Sequence, residues 1–107
     1  MAFNIKQNDT SPAIVATLQD ANGTAIDLTG ASVRFHMRAI GSNQTTVDAA
    51  ATVVTPLSGV VRYAWSAADT DTVGSYQAEF EVTYADASVE TFPNDGHIRV
   101  EITDDIA

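Results

Sequence analysis

Between Tyr76 and Tyr84 every second side chain is apolar. Tyr76, Ala78, Phe80, Val82 and Tyr84 alternate with Gln77, Glu79, Glu81 and Thr83. A strand sends successive side chains to opposite faces, whereas a helix returns to one face about every 3.6 residues. This spacing therefore fits a sheet with one face on a core and one in water, and it fits no helix. The same alternation recurs in Val33, Phe35 and Met37 against Arg34, His36 and Arg38. It recurs again in Ile14, Ala16 and Leu18, and in Ile98, Val100 and Ile102.

Turn signals separate these runs. Asp20-Ala21-Asn22-Gly23, Pro56-Leu57-Ser58-Gly59, Ala85-Asp86-Ala87-Ser88 and Pro93-Asn94-Asp95-Gly96 hold the residues that turn dihedrals favour. The pattern predicts strands near 3–7, 12–19, 31–38, 46–55, 60–66, 75–84 and 97–103, with short pieces near 24–28 and 88–92. One helical turn is expected from Ser66 to Thr72, capped by Ser66 with Asp69 three residues on. Asp69 through Ala78 resembles the turn into strand F of immunoglobulin domains, where a Tyr hydroxyl bonds back to upstream backbone; Tyr76 is expected to be buried, with its hydroxyl bonded to backbone near Asp71. The expected fold class is all-β, an immunoglobulin-like antiparallel β-sandwich of about seven strands, as one domain over 1–107.

Charge and composition narrow the function. The 107 residues carry 14 carboxylates against 5 basic side chains, a formal charge of -9. A polyanion is repelled by such a domain, so nucleic acid is not expected as a partner. There is no cysteine, which removes disulfides and thiolate chemistry. No apolar run approaches the roughly 20 residues of a helical membrane span, so no membrane partner is expected. The opening Met-Ala-Phe-Asn-Ile-Lys lacks the apolar stretch of a signal peptide.

Little in the chain reads as reaction chemistry. His36 and His97 are the two imidazoles, and both fall at solvent-facing positions outside any nucleophile-elbow context. The acidic pairs Asp20/Asn22, Asp69/Asp71, Asn94/Asp95 and Asp104/Asp105 match turn chemistry better than a calcium loop. No catalytic residue, cofactor or metal is expected. Aromatic side chains fall at alternating positions suited to packing; Trp65, near a strand end, and Tyr63 leave a glycan-binding module as an alternative.

The segment 46–66 offers a contact surface. If the Pro56–Gly59 loop closes regularly, Thr55 faces Val60 and Val54 faces Val61. Ala50, Thr52 and Val54 then join Val61, Tyr63 and Trp65 on the core. Val47, Ala49, Ala51, Val53, Val60 and Ala64 then form an outward apolar strip, with Arg62 as its only charge. Such a strip on an acidic domain is a candidate partner-binding surface; a one-residue slip mixes the two sets.

A family resemblance runs over nearly the whole chain. Phe3-Asn4-Ile5-Lys6-Gln7-Asn8-Asp9-Thr10-Ser11-Pro12, then Leu18 to Gly23 and Leu28 to Arg38, resemble the N-terminal immunoglobulin-like domain of bacteriophage baseplate upper proteins. Gly59-Val60-Val61-Arg62-Tyr63, Gly74 to Phe80 and Glu90-Thr91-Phe92-Pro93 continue the likeness. The resemblance implies a non-enzymatic virion structural protein, assembled in the host cytoplasm. Its sandwich module is expected to dock on the tail or baseplate, or on the neck. Expected partners are other virion structural proteins, with self-association as a further expectation. A capsid decoration protein is the alternative within the same class.

Overall fold

The computed structural model describes residues 2–106. Eight strands follow in chain order: β1 (Ala2–Lys6), β2 (Ile14–Thr17), β3 (Ser32–Ala39), β4 (Thr45–Thr55), β5 (Val60–Tyr63), β6 (Gly74–Thr83), β7 (Val89–Phe92) and β8 (Ile98–Thr103). Two short 3-10 turns, Pro56–Ser58 and Ala67–Thr70, are the helical elements among the described residues. The fold is all-β, as the alternation predicts.

β6 organises the sheet. β3 pairs along its whole length, from Ser32 opposite Thr83 to Ala39 opposite Tyr76. The other edge of β6 is shared: β8 takes 74–78 and β7 takes 80–83. β1 lies on β8 in parallel, with Phe3 opposite Val100 and Ile5 opposite Ile102. That pair departs from the all-antiparallel expectation. Periodicity tells which face a residue takes but not the direction of its neighbour.

β4 carries the chain from one half of the fold to the other. Its first part pairs with β3, from Thr45 to Ala51, and its last part pairs with β5, from Thr52 to Thr55. β5 then pairs with β2. The path β1-β8-β6-β3-β4-β5-β2, with β7 beside β6, is one continuous sheet curled around a single core. Two strands are shorter than expected. β2 covers 14–17, because Gln19 leaves the ladder to bridge Ala25. β5 stops at Tyr63, because Ser66 starts the second 3-10 turn.

Aromatic packing fixes how the halves meet. Phe35, fully buried on β3, stacks on Tyr63 of β5 with ring centroids 4.6 Å apart. Trp65 meets Phe35 edge-on at 5.5 Å, and Phe80 lies 5.1 Å from the same ring. Each such ring removes about 150–250 Å² of surface from water, so this cluster supplies much of the cohesion between the halves. The expected inner residues of β3, β6 and β8 are buried, except Tyr84, which lies just past β6 and is partly buried.

Two polar latches hold the 66–76 connection. Asp69 Oδ2 accepts the Ser66 backbone N–H at 2.9 Å and the Tyr63 hydroxyl at 2.6 Å. Burial and the bond to Asp69 push the Tyr63 phenol up. Tyr76 is buried, and its hydroxyl donates to the Thr72 carbonyl at 2.6 Å. The predicted tie to backbone near Asp71 thus lands one residue further on.

Candidate docking surface

The outer sides of the two halves differ in charge. On the β3–β6 half, cross-strand pairing sets Glu81 beside Arg34, and His36 between Glu79 and Asp48. Arg34 Nε donates to Asp48 Oδ1 at 2.8 Å, and His36 Nε2 lies 3.1 Å from the same oxygen. The Arg34 hydrogen bond is the main reason the Asp48 carboxyl sits below its ordinary range. Along the same side, Glu101 accepts the Ser75 hydroxyl at 2.6 Å and pairs with Arg99; the Ser75 bond leads in lowering its pKa. The side is a ladder of compensated charges.

An open hollow on this side is lined by His36, Arg38, Asp48, Gln77, Glu79 and His97. It brings the two histidines near one another, which the sequence does not predict. His97 is exposed, while His36 is engaged by Asp48. Among the described residues, no group of three or more His, Cys, Asp or Glu is placed to hold a metal ion. Asp20, Asp27 and Asp86 each accept backbone N–H groups within their own turns, as the turn reading of such residues expects.

The outer side of β2, β5 and the end of β4 is different. Val15, Arg62 and Thr52 form one cross-strand row, and Thr17, Val60 and Thr55 form the next. Val15 is 52% exposed and Val54 51%. Leu57, on the connecting 3-10 turn, is exposed beside them in the chain.

The β4 members of the strip expected to face outward, Val47, Ala49, Ala51 and Val53, do not do so. Val47 is buried in the core, and Ala49, Ala51 and Val53 pack against it. Val60 is half-buried and Ala64 exposed. The reason is a register shift between Val53 and Thr55. Thr55 faces Val60 as expected, but Val53, not Val54, faces Val61. Val54 is the extra residue of a bulge, and the residues before it exchange faces. The outward residues of the end of β4 are Ala50, Thr52 and Val54. Their one sequence signal is the absence of any carboxylate from residue 49 to residue 68.

The aromatic candidates for a glycan platform are also placed inward. Trp65 is 5% exposed and Tyr63 6%, so neither ring face is open to a sugar. A groove with Leu18, Phe92 and Ile98 at its base separates β2 from the 92–98 segment. No helix among the described residues is long and apolar enough to cross a membrane.

The comparisons bear on this geometry. CopC from Methylosinus trichosporium OB3b superposes with a TM-score of 0.55, covering 99% of this chain and 87% of that one, at 11% sequence identity. At that identity the likeness shows the fold alone. A search of curated proteins gives no match. The BppU N-terminal domain family matches residues 2–105, nearly the full length. The chain therefore belongs to the BppU N-terminal domain family, a family of phage baseplate proteins.

Proposed function

We propose that this chain is a non-enzymatic structural module of a phage particle, docking on the tail or baseplate through its β4–β5 hairpin. The family match over residues 2–105 carries the reading. The physical features agree with it. The described polar groups are mostly spent on turns, latches and a compensated charge ladder. The hairpin side that lacks carboxylates leaves Val15 and Val54 in water. Surface of that kind on a strongly acidic domain is what an assembly contact needs.

Quantitative mass spectrometry of gradient-purified particles tests the proposal. The protein is expected in every preparation at a fixed ratio to the baseplate proteins, and in tails separated from heads. Its absence from particles overturns the reading, and recovery with isolated heads moves it to the capsid.

A further inference from the structure

Arg62 stands alone on its face. It lies at the centre of the row Val15–Arg62–Thr52. None of the 14 carboxylates falls between Thr10 and Gln19 or between residues 49 and 68, the stretches that build this side. Arg34 and Arg99 have carboxylate partners, and Lys6 donates to the Asp104 carbonyl. The Arg62 side chain makes no ion pair or hydrogen bond among the described residues. Val15, its cross-strand partner on β2, is half in water, and so is Val54, two residues beyond its β4 partner Thr52.

A contact that covers the row Val15–Arg62–Thr52 also covers the guanidinium. A guanidinium taken out of water without a partner is costly, so a stable contact must give it an acceptor. This face has no acidic side chain to turn inward. The acceptor must come from the other side. We propose that the outer side of β2, β5 and the end of β4 docks on a neighbouring virion protein that presents a carboxylate within an apolar patch, and that this carboxylate pairs with Arg62. The inference rests on the docking reading above and specifies the chemistry of its partner.

A second copy of the chain is a poorer occupant. A two-fold contact centred on this face sets Arg62 against Arg62 of the other copy, with no local carboxylate to relieve the repulsion. The net charge of -9 opposes self-association at long range as well. The partner's acidity is local, since a broadly acidic protein is repelled by the rest of the domain.

The test uses phage particles assembled with the full chain or with single variants. Each variant is also purified and its thermal unfolding recorded. Arg62→Glu is expected to melt like the parent, because Arg62 is exposed and unpaired, yet to be recovered in particles at least about tenfold less, as for loss of a desolvated charge pair. Arg38→Glu changes charge equally on the opposite side and is expected in particles at the parental level. Parental recovery of Arg62→Glu overturns the inference while leaving the docking reading intact. Equal loss of both variants also overturns it, since net charge and not this face is then decisive. Self-association of the parent that Arg62→Glu abolishes overturns the choice of partner. Absence of the parent chain itself from particles overturns the docking reading, and this inference with it.

Discussion

Val53 lies opposite Val61, with Val54 left over as the extra residue of a bulge. Val53 packs against the core, whereas Val54 is 51% exposed. Adjacent valines on one strand are thus in different environments. Val53→Asp is expected to cost about 1–3 kcal/mol, since it sets a carboxylate against apolar neighbours. Val54→Asp is expected to stay within about 0.5 kcal/mol of the parent, as exposed substitutions do. Urea unfolding of the two variants measures the difference.

The bulge also shows where sequence reading stops. In β6, β3 and β8 the inner residues are apolar and mostly large and the outer ones polar or charged, so parity alone assigns the faces. In β4 both parities hold small apolar residues, Ala49 and Ala51 against Ala50 and Val54. The contrast that assigns a face is missing there, and a single bulge reverses the outcome. Periodicity therefore sends Val47, Ala49, Ala51 and Val53 outward where the structure turns them inward, although the hairpin itself is legible. Arg62 reads from the sequence as the only charge near the strip. Its isolation depends on β2 lying beside β5, a pairing that periodicity does not encode.

Tyr76 ties its strand to the preceding turn through the Thr72 carbonyl. Tyr76→Phe keeps the ring and removes the donor. The loss is expected to be about 1–2 kcal/mol, the net value of one such bond plus the carbonyl left less satisfied. Guanidinium unfolding of the variant provides the measurement, and a change below about 0.3 kcal/mol argues against a structural role for the bond.

Gly59 closes the β4–β5 connection with φ of 67°, and a Cβ there would stand 2.6 Å from the Leu18 carbonyl oxygen. Gly96 has φ of 76° with nothing within 4 Å of the same position. Both Ala substitutions carry the cost of a left-handed backbone, about 1–2 kcal/mol. Gly59→Ala adds a backbone collision and is expected to lower the melting temperature clearly more than Gly96→Ala.

Alkaline stability follows from Tyr84. Burial, and then the bond its hydroxyl donates to Glu90 at 2.7 Å, push its phenol from 10.0 up to about 12. A raised folded-state pKa contributes stability that is complete below the unfolded value. It is lost as pH rises from about 10 through the folded value, because the unfolded chain releases the proton first. Stability measured by denaturant titration is therefore expected to fall across that window, and to fall less steeply in Tyr84→Phe. Equal slopes in parent and variant would contradict the assignment.

As a docked baseplate module, this domain is expected to have its carboxylate-free side covered in the particle. A cryo-electron reconstruction of the intact particle tests it most directly. Density for the domain is expected on the baseplate, in copies related by its symmetry, with Val15 and Val54 out of solvent and a partner carboxylate against Arg62. Density placing the domain elsewhere, or on the baseplate with that side facing water, would contradict it.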